Sequence, residues 1–538
     1  MTDPVECIVV GSGCSGAIAA GTLVDAGVRV TMLDVGHRDE RYARAIPARD
    51  FVSIRREESG QHRYLIGDEA EGVVFGEIAE GEHITPPRRH IMRDVDRLIP
   101  LASETFRPFE SLGYGGLGIG WGLGCWEYSH AELRAAGLDP AAMRDAYQHV
   151  GDRIGISGVR DDAAAYTVGD LRNLEPPTQM DRNHGLLLRG YERRRAALRR
   201  RGFVLGRAPL ALLTEDRPGR GRYAYRDMDF YSDADRSAWR PWIAVDELRE
   251  GNALRYVGGQ LVCRFSERDG YVEVRALDVE TGAARTHRAR RLVLASSALG
   301  TARIVLRSLG DRAAQVPLLC NAYAYIPCLQ PGLVGHEVEA PKLGFSQLSL
   351  FHDADGAHRD VAMASLYSYQ SLMLFRIVKQ APIDLADARV LMRWLMSGFL
   401  LMGLHQPDPG SAARRLWLGP DRTSPTGDRL EARFAFSADE RRAHQRRRRR
   451  FIAAMRSMGA YALRTVDPGP GGSIHYAGTL PFADREQPLA LDRTGRVHGT
   501  ERVFVADGSG FRYLPAKGLT FSVMANAHLV ARHAAGRS

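Results

Sequence analysis

Lysine is almost missing from this chain. Of its 73 basic residues, three are lysine (Lys342, Lys379 and Lys517) and 70 are arginine. Such a skew reflects a base composition that favours arginine codons, so the surface cations say little about function. Each surviving lysine marks a place where arginine, which cannot lose its proton, is the poorer fit. Cysteine is scarce too: Cys7, Cys14, Cys125, Cys263, Cys320 and Cys328 are scattered, with no CxxC pair. That excludes a disulfide scaffold and a zinc site, and points to a reduced compartment without a metal. The chain has no long hydrophobic run. The most apolar stretch, 390–404, is broken by Arg393, and its uninterrupted part, 394–404, has eleven residues, too few to span a bilayer. A buried element of a second domain is expected there. The N-terminus is short and acidic and leads directly into a strand, so no signal peptide fits and a cytoplasmic location is expected.

The net charge of +9 does not identify nucleic acid as a partner, because the cations are dispersed among 64 acidic residues. Arginine runs stand at 193–195, 199–201 and 446–450. The last sits in a helical pattern over 439–458, with Ala443, Phe451, Ile452, Ala454, Met455 and Met458 as its apolar residues. A solvated helix face explains the run better than a phosphate-binding patch. Zinc-finger spacing, RNA-binding signatures and interleaved basic and aromatic stripes are all missing.

What the chain does contain is glycine in meaningful places. With 538 residues, 44% of them hydrophobic, it has the size for two or three domains. A strand at 7–10 runs into Gly11-Ser12-Gly13-Cys14-Ser15-Gly16, then a helical stretch at 17–26, Gly27, and a second strand at 28–33 that ends at Asp34. This is the layout of a dinucleotide-binding unit. Gly11 permits the tight turn, Gly13 lets the backbone approach a pyrophosphate, and Gly16 allows close helix packing. The helix N-terminus, at Cys14 and Ser15, offers free N–H groups to phosphate. Asp34 is placed to accept hydrogen bonds from ribose hydroxyls.

FAD and NAD share this fingerprint, and its position at the extreme N-terminus favours a flavoprotein. Later pieces complete the domain. Segments 253–265 and 272–278 read as a strand pair around Arg268-Asp269-Gly270. Leu292-Val293-Leu294-Ala295 is an apolar strand that leads into a helix. The run from Arg502 to Asp507 and Gly508 closes on a C-terminal helix at about 519–533. An α/β fold is therefore expected: a doubly wound, Rossmann-like FAD-binding domain built from 1–160, 241–310 and 475–538. An inserted α+β substrate domain with an antiparallel sheet is expected over 161–240 and 311–474.

These segments resemble the glucose-methanol-choline (GMC) oxidoreductases, a family of FAD enzymes. The resemblance rests on the 9–34 unit, the glycine loop Ser111–Gly122, the 292–308 strand and helix, and the stretch 473–533. That last stretch carries His475-Tyr476-Ala477-Gly478-Thr479 and Val505-Ala506-Asp507-Gly508. In the glycine loop, Gly115, Gly116, Gly120, Trp121 and Gly122 are the expected flavin-side residues, since backbone lying flat on a ring cannot carry side chains on that face. Some relatives attach FAD covalently through a histidine of this loop. Gly120 stands at that place here, so non-covalent FAD is expected. The resemblance also implies that Val262, Asp507, Gly508, Leu519 and Thr520 contact the cofactor.

By the same resemblance the activity is oxidation of an alcohol, sugar-like or another hydroxylated metabolite. Hydride passes to flavin N5 and His475 accepts the hydroxyl proton. Oxygen, a quinone or another carrier would then take the electrons. The family's second catalytic position departs from pattern: in Pro515-Ala516-Lys517-Gly518-Leu519-Thr520, Ala516 replaces the usual asparagine. Lys517, beside it, is the expected substitute, as an anion-binding cation or a base. The loss of that asparagine keeps a second reading open, a lyase or isomerase in which FAD is structural and His475 does acid–base chemistry alone. Tyr323, Tyr325, Tyr367 and Tyr369 suit a sugar ring or a sheet surface. An apolar segment at 372–378 precedes Lys379, and Met392, Met396 and Met402 would suit a lipid alcohol.

Overall fold

The computed structural model describes residues 3–69, 84–311, 313–337, 343–368 and 384–537. Lys342, Tyr369, the 372–378 segment and Lys379 lie outside them, as does the side chain of Met392.

The first sheet is built from both ends of the chain. Strand Val5–Val10 pairs in parallel with Val30–Leu33 on one side and with the last part of Ala284–Leu294 on the other. Leu254–Val257 extends the parallel layer beyond Val30–Leu33, and Val503–Val505 adds to Ala284–Leu294. Strands buried on both faces need to be apolar throughout, and Ile8, Val9, Leu292, Val293, Val503 and Val505 are all fully buried. Helices Cys14–Asp25 and Thr520–Ala534 pack against each other over this layer. The stretch 253–265, expected as one strand, breaks at Gly258-Gly259, where Gly259 turns with φ 70°. The chain then re-enters the sheet as Gln260–Arg268, which pairs antiparallel with Tyr271–Asp278.

The second sheet has six strands, and the pairings within it are antiparallel. Its centre is Ala322–Leu329, Phe399–Gln406 and Ala362–Tyr367. Period-two alternation gives this sheet two different faces. Ala324, Ile326, Leu400, Met402, Leu404 and Leu366 form one core with Leu187 and Tyr191 of helix Arg182–Arg199 and with Phe451, Ala454 and Met455 of helix Ala438–Ser457. The other face carries Tyr323, Tyr325, Met363, Ser365, Tyr367 and His405, and looks into the cleft between the sheets.

Two expectations are corrected by this arrangement. Met402 belongs to the core face, turned away from any substrate, because it alternates with Gly403 and His405. The apolar stretch 394–404 is not one element but the end of a helix, a short 3-10 turn at Met396–Gly398 and most of a strand. Trp394 ends helix Leu385–Leu395 and is 60% exposed, whereas the following strand, Phe399–Gln406, is buried along its length. The arginine-rich 446–450 run lies on helix Ala438–Ser457, which opens with a capping box between Ser437 and Glu440. Among the described residues, no helix is long and apolar enough to cross a membrane. The six cysteines are unpaired.

Candidate active site

A cleft of about 380 Å³ runs from the N-terminal glycine turn to the inner face of the second sheet. That volume is within the range of small-molecule and cofactor sites. At one end the three glycines divide the work. A side chain on Gly11 (φ 98°) would place its Cβ 2.8 Å from the Ala295 carbonyl oxygen, and one on Gly16 would collide with the Gly11 carbonyl. Gly13, by contrast, has only Gly115 O, at 3.9 Å, within reach of a Cβ. It leaves backbone open on the cleft. Helix Cys14–Asp25 begins there with no side-chain cap and no acidic residue in its first turn, so its N–H groups and dipole face the cavity.

The second glycine loop lies directly on the first. Gly115 and Gly116 have φ of 103° and 57°, and a Cβ on Gly116 would meet Gly13 Cα at 3.3 Å. Ser12 ties the two loops together, since its hydroxyl donates to Asp34 Oδ2 and accepts from Gly115 N–H at 2.8 Å. The buried Arg240 guanidinium donates to Trp121 O at 2.6 Å and fixes the loop from below. Gly120, Trp121 and Gly122 form cleft wall, and around Gly122 the space is open.

Asp34 is in the wall at the end of Val30–Leu33, with Tyr256 donating to Oδ2 at 3.1 Å. Burial raises its carboxyl to about 6, against the lowering effect of the Ser12 and Tyr256 hydrogen bonds. Asp507 is also in the wall, but its carboxylate is engaged. Oδ1 accepts from Ser509 N–H at 3.0 Å and Oδ2 from the Thr301 hydroxyl at 2.5 Å. It caps the turn Gly508–Gly510 while burial pushes its pKa up. Val262, Gly508, Leu519 and Thr520 complete this side, and helix Thr520–Ala534 starts at the cavity with no acidic residue in its first turn. Of the expected cofactor residues, Gly16 and Gly115 stand behind the wall, where they permit the close packing that shapes it.

His475 lines the cleft at the other end. It follows Ile474, a β-branched residue at φ 59°, a costly conformation that tends to occur at functional sites. His475 Nδ1 is 3.0 Å from Asn321 Oδ1. The other end of the Asn321 amide is surrounded by carbonyl oxygens, those of Gln406 at 2.8 Å, Pro515 at 3.1 Å and Leu514 at 3.3 Å. That environment requires the NH2 group there and the amide oxygen toward the histidine. Nδ1 of His475 must therefore carry the hydrogen, which leaves Nε2 with its lone pair. Burial lowers the His475 pKa to about 4, so the imidazole is neutral at ordinary pH and Nε2 is a proton acceptor.

Sequence reasoning missed two residues here. Asn321, nearly fully buried, sets the histidine tautomer. His405 stacks on His475 with ring centroids 4.7 Å apart and planes 17° from parallel. The signal that could have found His405 is the alternation of Phe399–Gln406, in which a polar residue shares a face with Gly403 while its neighbours Leu404 and Met402 face the core.

Lys517 is corrected. It is fully buried but outside the cleft wall, although Gly518 and Leu519 are in it. Its ammonium forms an ion pair with Glu132 Oε2 at 2.9 Å and donates to the Glu127 carbonyl at 2.8 Å. The cation is consumed inside the protein, where it offsets a carboxylate that burial would otherwise neutralise. A role as substrate ligand or base is withdrawn.

The cleft thus joins the N-terminal glycine turn at one end to the Asn321–His475 pair at the other. Residues 428–527 match the family model described as GMC oxidoreductase. Among solved structures, pyridoxine 4-oxidase from Mesorbium loti shares the fold at a TM-score of 0.59 and 14% identity, covering 99% of this chain and 100% of that one. No curated protein matches. Over residues 428–527 the resemblance to this family of oxidoreductases is borne out.

Proposed function

We propose that the protein is an FAD-dependent oxidoreductase that oxidises an alcohol, with Nε2 of His475 as the proton acceptor. The observation that carries this is the Asn321–His475 pair, which leaves a neutral imidazole with its basic nitrogen free at the end of a nucleotide-shaped cleft. When bound, FAD supplies the hydride acceptor at N5. The cavity suits this cofactor in two respects: Gly13 and Gly122 leave backbone bare where a ring or pyrophosphate would approach, and two helix N-termini without acidic residues face it. Gly11, Gly13, Cys14 and Ser15 would hold the pyrophosphate, Asp34 the ribose, and Gly116, Gly120, Trp121 and Gly122 the ring system. Val262, Asp507, Gly508, Leu519 and Thr520 would line the remainder, and no covalent link is proposed.

In this reading His475 takes the hydroxyl proton as the carbinol hydrogen leaves, and Asn321 stabilises the resulting imidazolium through its amide oxygen. The low pKa of the enclosed imidazole returns that proton readily. The aromatic face of Tyr323, Tyr325 and Tyr367 holds the substrate. The purified protein should be yellow, release its chromophore on acid precipitation, and bleach on anaerobic mixing with a suitable alcohol. His475→Ala should keep the flavin and lose the bleaching. Conversion of a substrate while the flavin stays oxidised would instead establish the lyase or isomerase reading.

A further inference from the structure

His405 has no part in the chemistry described so far, yet it lines the cleft directly against His475. It projects from the centre of the second sheet, paired across strands with Tyr323 and Met363. Its ring lies between His475, at 4.7 Å, and Tyr323, at 4.2 Å. Tyr323 can fold over it because Gly403 has no side chain: a Cβ there would stand 2.6 Å from the Tyr323 hydroxyl. The imidazole is thus held on both faces and has little freedom to turn. Among the described residues neither of its ring nitrogens has a hydrogen-bond partner, and Nδ1 is buried as well. With Nδ1 enclosed, Nε2 is the nitrogen left to meet a ligand in the cleft.

We propose that His405 is a substrate-positioning residue, and that the substrate is an alcohol with a second hydrogen-bonding group one or two carbons from the carbinol. This rests on the proposed alcohol oxidation at His475. Two nearly parallel imidazoles 4.7 Å apart both line the cleft. One, His475, takes the reacting hydroxyl. The other takes a neighbouring hydroxyl, phenol or ring nitrogen on the same molecule. His405 stays neutral throughout, because burial and the adjacent His475 both oppose its protonation, and a second positive charge stacked on an imidazolium is unfavourable. It therefore acts as a neutral hydrogen-bonding group and not as a second base. The aromatic lining from Tyr325, Tyr367 and Trp126 favours a flat ring as the carrier of both groups.

The test uses the flavin-loaded full-length enzyme and a matched pair of ligands, 2-hydroxybenzyl alcohol and benzyl alcohol. Binding is read as the flavin difference spectrum, which does not require turnover. The wild type should bind the two-group ligand about ten-fold more tightly, the order of one net hydrogen bond. His405→Leu should reduce that preference to less than about two-fold at unchanged flavin content, within the scatter of small effects. His405→Gln, whose amide reaches the position of Nε2, should restore most of it, and this keeps the test open if the leucine variant folds poorly. Equal affinity in the wild type, failure of both ligands to bind, or a preference that survives in His405→Leu and His405→Gln alike would overturn the proposal. Failure of the underlying reading looks different: the ligand preference would stand while the flavin stays oxidised with every alcohol tried.

Discussion

Replacing Asn321 with leucine tests the tautomer argument directly. Leucine preserves the volume of the side chain and removes both of its polar atoms. On the histidine side, the 3.0 Å bond from Nδ1–H disappears, and with it the bias that keeps Nε2 unprotonated. A net hydrogen bond is worth ~1 kcal/mol, which converts to roughly five-fold in the population of the competent tautomer. Loss of orientation adds to this, so the rate of substrate-driven flavin reduction should fall between about ten- and a hundred-fold. On the other side, the carbonyls of Gln406, Leu514 and Pro515 lose their shared donor in a buried place. The cost is ~1–3 kcal/mol of stability, seen as a lower urea midpoint at constant slope. Stopped-flow reduction under anaerobic conditions measures the first effect, and 15N NMR of the His475 ring reads the tautomer itself. A folded, flavin-loaded Asn321→Leu protein that reduces at the wild-type rate, with Nδ1 still protonated, would refute the assignment.

Three further outcomes follow from the same geometry. Gly16→Ala drives a methyl into the Gly11 carbonyl and should cost ~1–3 kcal/mol or more by overpacking; flavin content, measured by the visible-to-280 nm absorbance ratio, should drop well below the wild type, and full loading would contradict the packing role. Lys517→Met removes the cation that offsets Glu132 inside the protein and should destabilise it by about 3–5 kcal/mol. The double variant Lys517→Met/Glu132→Gln should recover much of that loss in chemical denaturation, and an unstable double variant would count against the pairing. His475 has its pKa lowered by burial from 6.5 to about 4, so its neutral form dominates from neutral pH down to near 5. Flavin reduction should be level across that range and fall as pH approaches 4. The stability that this neutral imidazole contributes is complete above about 6.5 and is lost as pH falls through about 4. A rate that already halves near pH 6.5 would show that the histidine is not enclosed.

The glycine-turn end of the cleft was legible in the sequence because its signal is local. Gly16 is required by a contact with Gly11 in the same turn, and the spacing of Gly11, Gly13 and Gly16 alone carries the message. His475 was legible through the motif around it. Asn321 and His405 were not, because each reaches the site only through strand pairing in a sheet whose register no short window reveals. His405 stands among Leu400, Met402 and Leu404 in the chain, and only alternation separates its face from theirs. Lys517 shows the opposite error. Its rarity did mark a place where lysine matters, but the place is an enclosed ion pair with Glu132, whose compact ammonium site would have to admit a larger planar fork if arginine stood there. Composition identified the residue, and three-dimensional surroundings decided its task.

The parallel sheet has a consequence for how the protein is made. Val5–Val10, synthesised first, lies beside Ala284–Leu294, whose opposite edge is closed by Val503–Val505. Helix Cys14–Asp25 rests on helix Thr520–Ala534. The first glycine turn therefore leaves the ribosome long before the strands that complete its pocket exist. The cleft becomes whole only once helix Thr520–Ala534 has been made, and truncation of that helix should dismantle the cleft however intact the N-terminal motif remains.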